Sequence, residues 1–302
     1  MSHDTTTWTG ASDTDWDTAG NWTNGVPVAA GTAIIDGSAN IAGGAVTNTD
    51  CQRVYIASTY TGQIGSSGTP IELDFQELSV DNTASGSAHY IEKVDASYIA
   101  TVQVDGLKTG NALYLAGTID QIIVEPTFIG TMHLGVSASK TCVPKHLIML
   151  NTTGTVDASV AANVAWSSSA NVFVLSGTLL LGENVGASTR LFQSGGIITV
   201  SDWTKVASDI WYLMGGTTNW NAGSTGVDDP TETTVTTLNV YGGTFSTSAN
   251  IKAQVGFTDI NQYGGTINLQ SSFANIEIIG TYTGYAGAYS APKQSVTTTS
   301  PK

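Results

Sequence analysis

Ile260-Asn261-Gln262-Tyr263-Gly264-Gly265-Thr266-Ile267-Asn268-Leu269 decides the fold, because it restates Leu238-Asn239-Val240-Tyr241-Gly242-Gly243-Thr244-Phe245-Ser246-Thr247 from twenty-two residues earlier. An apolar start, Asn, Tyr and Gly-Gly-Thr recur in the same places. Looser copies run back through Trp211-Tyr212-Leu213-Met214-Gly215-Gly216-Thr217, Leu191-Phe192-Gln193-Ser194-Gly195-Gly196-Ile197 and Phe173-Val174-Leu175-Ser176-Gly177-Thr178-Leu179. Self-similarity at a period of about 20 residues marks a solenoid, whose rungs each bury an apolar face on the next. The eight glycines Gly195, Gly196, Gly215, Gly216, Gly242, Gly243, Gly264 and Gly265 fall where two short strands meet. They are read as structural corners that use positive φ between faces of the coil. Parallel rungs stack in register, so Tyr241 and Tyr263, and likewise Asn239 and Asn261, are expected to form ladders. The fold class is all-β: a right-handed parallel β-helix of about ten rungs.

Outward from this core the rung pattern loosens but persists. Strands are expected at Thr32–Asp36, Val54–Ala57, Ile71–Phe75, Ile99–Val104, Ala112–Leu115, Gln121–Val124 and Leu147–Leu150, with Gly-Thr corners at Gly117-Thr118, Gly130-Thr131 and Gly154-Thr155. Ser201-Asp202 can cap a short helix that puts Val206 and Ile210 on one face and pairs Lys205 with Asp209, although Ile210 to Met214 also reads as a strand. The interval from Gly215-Gly216 to Gly242-Gly243 is longer than its neighbours, so a loop is expected over Asn221 to Glu232. The resulting organisation is a Trp-rich cap or docking segment over residues 1–31, the solenoid over 32–285 and a tail over 286–302.

Composition narrows the function. Charged residues make up 11% of the 302-residue chain, against about a quarter in ordinary globular proteins. Apolar residues make up 41%, enough for a core and too many for a disordered chain. The net charge of −14 reflects only ten Lys and Arg, and Arg53 and Arg190 are the only arginines. A phosphate backbone needs clustered cations, so nucleic acid is not an expected partner. Neither is a membrane, since no run of about 18 apolar residues occurs. Met1 to Thr6 lacks the basic and apolar stretches of a secretory signal, the pattern of a protein that folds in the cytosol unless a leader has been removed. Cys51 and Cys142 show no metal-ligand spacing and read as two reduced, buried thiols.

Chemical constellations are few. Asp228-Asp229 is the best carboxylate pair for glycoside chemistry, but adjacent residues before Pro230 point apart and suit a turn. A lyase would also want a cation beside a carboxylate, and the repeats hold almost none. Asp13, Asp15 and Asp17 have the alternating spacing that opens a calcium loop, without the glycine and glutamate that complete one. His133 and His146 have no partner in sequence. No nucleophile elbow, phosphate loop or Cys-His set occurs, so neither a catalytic residue nor a cofactor is expected. Trp8, Trp16 and Trp22 stand among polar and turn residues, with Pro27 closing the motif. Two compatible readings remain for them: an aromatic cap sealing the first rung, or anchors for a partner, since tryptophan dominates interface hot spots.

The opening Trp-x-Gly, Asp-Trp and Asn-Trp-x-x-Gly-x-Pro, leading into Gly-Thr repeats, resembles the start of solenoid regions in bacterial surface proteins and in tailed-phage virion proteins. The likeness covers roughly the first 35 residues. The lack of an export signal and of a translocator domain fits the phage particle better. By that resemblance the chain looks like a capsid decoration or head-fibre protein, a group that is often trimeric, with the major capsid protein or another virion protein as partner. It would sit on the virion surface after assembly in the host cytoplasm. No catalytic residue comes with the resemblance. The alternatives are a carbohydrate-active or glycan-binding β-helix tail protein, with Asp228, Asp229 and exposed aromatics as its site, and a secreted adhesin fragment.

Overall fold

The computed structural model describes residues 4–81, 88–95, 100–107, 110–150, 153–160, 163–167, 169–182, 189–201, 210–221, 233–247, 255–269 and 276–290. The chain is a parallel β-solenoid. By its contacts it divides into two units, residues 1–146 with 150–156, and residues 147–149 with 157–302.

In the first unit, alternation along each strand sends every second side chain inward, and parallel pairing stacks those side chains into columns. Ala33, Val54, Leu78, Val102 and Ile122 form one such column in successive register, and Ile35, Ile56, Val80, Val104 and Val124 form the next. All ten are fully buried. At about 1.5–3 kcal/mol for each larger aliphatic side chain, these columns are the main stabilising feature of the unit. A further column, Ile71, Ile91, Leu115 and Leu134, lines another wall.

Two strands expected as separate pieces are continuous. Ala112–Val124 carries both Ala112–Leu115 and Gln121–Val124, with Gly117 turning the chain at φ 92 between them. The corner exists, but hydrogen bonding runs through it. Its first half pairs with Ala88–Lys93 and its second with Thr101–Val104. The boundary after residue 31 also moves, because Thr5–Thr7 pairs in parallel with Thr32–Ile35. The first rung therefore begins inside the segment expected to be a separate cap.

The second unit begins with four-residue strands from Asn171–Val174 to Thr217–Trp220 and adds longer ones at Thr233–Val240, Val255–Gln262 and Ile276–Gly284. Val172, Leu191, Trp211, Leu238 and Ile260 stack as one buried column. The Gly-Gly corners work by two different constraints. A Cβ on the first glycine would strike the preceding rung: at Gly242 it would lie 2.5 Å from the Met214 carbonyl oxygen, and at Gly264 2.5 Å from that of Tyr241, while Gly195 and Gly215 meet Leu175 and Ser194 in the same way. The second glycine needs the left-handed region, with φ 71 at Gly243 and 67 at Gly265, as also at Gly196 and Gly216.

The stacking follows the repeat. Asn239 faces Asn261 in register, and Asn261 Nδ2 donates to Asn239 Oδ1 at 3.1 Å. Rungs continue past residue 285, because Ala288–Ser290 pairs with Thr266–Asn268. The expected helix after Ser201, the loop over 222–232 with Asp228 and Asp229, and the tail from residue 291 lie outside the described residues.

Candidate functional site

The three N-terminal tryptophans are buried, at 1–5% exposure, and pack on one another. Trp22 meets Trp8 edge-on at 5.1 Å and Trp16 at 4.7 Å. The indole of Trp22 donates to the Trp16 carbonyl at 2.7 Å, and that of Trp8 to the Ala39 carbonyl at 3.1 Å. Pro27 is buried as well. The rings are covered by their own unit, as the cap reading expects, and leave little surface of their own for a partner.

Asn21 organises the acidic turn beside them, a role the sequence did not announce. Fully buried, it accepts from the Ser12 and Asp13 N–H groups through Oδ1 and donates through Nδ2 to Asp13 Oδ1 and the Asp15 carbonyl. The aspartates are engaged in the same turn. Asp13 accepts the Asp15 N–H at 2.9 Å, Asp15 the Asp17 N–H at 3.0 Å, and Asp17 the Thr47 N–H at 2.6 Å. The backbone N–H of Asp15 and the amide of Asn21 hold the Asp13 carboxyl below the usual carboxylate range. The three carboxylates form no metal-holding group, nor does any other His, Cys, Asp or Glu set among the described residues.

His133 stacks on Tyr114 at 4.3 Å, and Tyr114 on Tyr90 at 4.4 Å, so it belongs to an aromatic ladder. His146 is half-buried in Cys142–Met149. Cys51 and Cys142 are free and buried, and burial pushes their thiols up to about 11 and about 12, which makes them unreactive.

Two surface features stand out. In the second unit, the residue before each corner points outward, and its N–H donates to the rung before, giving the column Leu175, Ser194, Met214, Tyr241, Tyr263 and Tyr285. Apart from Ser194, its members are large apolar or aromatic side chains between 41% and 65% exposed. The three tyrosines stack nearly parallel, at 4.6 and 5.0 Å. In the first unit, a polar cavity of about 690 Å³ opens on the outward strand face. Arg53 and Glu77 meet across it at 2.7 Å.

The sequence reading missed the cavity because its residues lie a full rung apart and only register brings them together. The parallel between Gln52-Arg53-Val54-Tyr55-Ile56 and Gln76-Glu77-Leu78-Ser79-Val80 could have signalled it.

No protein family, curated protein or solved structure matches the chain in comparison.

Proposed function

We propose that the chain is a non-enzymatic structural protein of a virion surface, of the capsid-decoration or head-fibre kind, docked on the major capsid protein or another virion protein. The observation that carries this reading is the exposed column ending in Tyr241, Tyr263 and Tyr285. A contiguous stripe of exposed aromatic and apolar side chains is costly in water and marks protein–protein contact surfaces, where Tyr and Met are enriched. It takes over the docking role first considered for the tryptophans. Few lysines and arginines leave few tryptic sites, and rungs that lock their neighbours suit a durable outer component. Its partners are proteins, including further copies of itself in a trimer, and neither nucleic acid nor membrane. It reaches the particle from the host cytoplasm.

Mass spectrometry of purified particles tests the assignment. The chain is expected there in stoichiometric amount, and its absence from particles would refute the reading. Incubation with polysaccharides is expected to yield no cleavage products; turnover that vanished with Asp228→Ala or Asp229→Ala would make the chain an enzyme instead.

A further inference from the structure

The polar cavity of the first unit is built by register. Thr32, Arg53, Glu77 and Thr101 are successive members of one outward column, and Gln103 follows Thr101 on the same face. Gln52 and Gln76 precede the two charged residues and complete the lining. The volume of about 690 Å³ is that of a small-molecule site. Such sites are usually mostly apolar, whereas the described residues lining this one are all polar or charged.

Its functional groups select a ligand class. Arg53 Nη2 is hydrogen-bonded to Glu77 Oε2, so the two charged side chains among the described lining residues neutralise each other. An anionic ligand would have to compete with Glu77, and a cationic one with Arg53. The remaining groups are three carboxamides and two hydroxyls. Gln52 and Gln76 have no side-chain hydrogen-bond partner among the described residues and are solvent-exposed. Gln103 donates its amide to Asp105 at 3.3 Å and Glu125 at 3.2 Å, which fixes the group and leaves its carbonyl oxygen as an acceptor. A carboxamide presents a donor and an acceptor side by side, as neighbouring hydroxyls of a sugar ring do. Thr32, Arg53, Glu77, Thr101 and Gln103 stand on paired strands, so little ordering is needed on binding.

We propose that this cavity binds an uncharged saccharide, held by the carboxamides of Gln52, Gln76 and Gln103 with Arg53 and Glu77 as a paired donor and acceptor. The inference goes beyond the structural role and does not depend on it: a decoration protein can hold a glycan without cleaving it. Peptides would want an apolar pocket, and nucleic acids a net positive one.

Saturation-transfer NMR and calorimetry on the full chain, with maltotriose, cellotriose, chitotriose and heparin as probes, provide the test. At least one neutral trisaccharide is expected to bind saturably, with a Kd on the order of 1 mM or tighter. The double variant Gln76→Ala/Gln103→Ala is expected to weaken it by about tenfold or more, as the loss of two net hydrogen bonds implies. An unchanged thermal melt would show that this variant folds. Tyr263→Ser, in the other unit, should leave binding unchanged and so separates this site from particle docking. Failure of all three neutral probes to saturate at about ten times that Kd, binding of heparin alone, or undiminished binding by the folded double variant would overturn the proposal.

Discussion

The two units draw on different mixtures of locks between their rungs: ring ladders occur in both, at Tyr90, Tyr114 and His133 in the first and at Tyr241, Tyr263 and Tyr285 in the second. The first unit adds complementary charges: Arg53 pairs with Glu77, Lys93 with Asp74, Lys140 with Glu72 and Glu92, and Lys145 with Asp120. Glu72 and Glu92 face each other in register, which alone would repel, and Lys140 bridges them. The described part of the second unit carries longer ladders of like on like: Phe173, Phe192 and Tyr212 stack at 4.9 and 4.8 Å, and their column continues in register as Asn239 and Asn261 beside the exposed tyrosines. Ladders of like residues impose the same residue on successive rungs, so they write a repeat into the sequence. Complementary pairs impose different residues and erase it. A solenoid can therefore be uniform in its core and visibly repetitive only where its surface is laddered.

Removing half of the buried pair should have the largest effect. Lys93 Nζ lies 2.6 Å from Asp74 Oδ1 with both side chains fully buried, and it also donates to the Asp95 carbonyl. Lys93→Ala leaves a carboxylate in the core and is expected to destabilise the first unit by about 3–5 kcal/mol, whereas Lys93→Met with Asp74→Leu should recover most of the loss. Denaturant titration of the single and double variants checks this; a single variant as stable as wild type would remove charge pairing as the distinguishing lock.

Acid should also act on the first unit. His89 is fully buried, with its ring 5.6 Å from Tyr60, and burial lowers its pKa from 6.5 to about 4. The unfolded chain takes the proton first as pH falls. The contribution is therefore complete above about pH 6.5 and is lost progressively down to about pH 4, amounting to about 3 kcal/mol. Unfolding free energies measured between pH 7 and 4 should show this slope, and His89→Gln should flatten it. A slope that survives the substitution would assign the acid sensitivity to other groups.

In the second unit, Gly243→Val is expected to cost about 1–3 kcal/mol, because φ 71 disfavours any side chain. The Cβ would also meet the Gly216 carbonyl oxygen at 2.6 Å. A change within error would mean that the corner relaxes freely. The smallest effect belongs to the ladder itself. A double-mutant cycle on Tyr241 and Tyr263 should give a coupling of about 0.5–1 kcal/mol, insensitive to salt, whereas the exposed Arg53–Glu77 pair should give no more and fade in 1 M NaCl. Equal salt sensitivity in both cycles would erase the distinction between the units.

The same contrast explains what could be read beforehand. Tyr263-Gly264-Gly265 against Tyr241-Gly242-Gly243 fixed strand, corner and register at once, since a ladder and two steric constraints all select the same residues. In the first unit, Ala112–Leu115 and Gln121–Val124 were visible as apolar runs, but the hydrogen bonding across Gly117 that joins them was not. The tryptophans could be read as cap or anchor because polar neighbours suit both, and only burial separates them. Asn21 was illegible because one buried amide in a turn leaves no periodic trace.

Particle occupancy tests the central claim most directly. Full-length wild type and the variant Tyr241→Ser/Tyr263→Ser would each be supplied to particles lacking the protein and quantified after purification. Wild type is expected at full occupancy, and the variant, folded and, like wild type, cleaving no polysaccharide, is expected to be lost from the particle. A folded variant that decorates particles as fully as wild type would contradict docking through the tyrosine column.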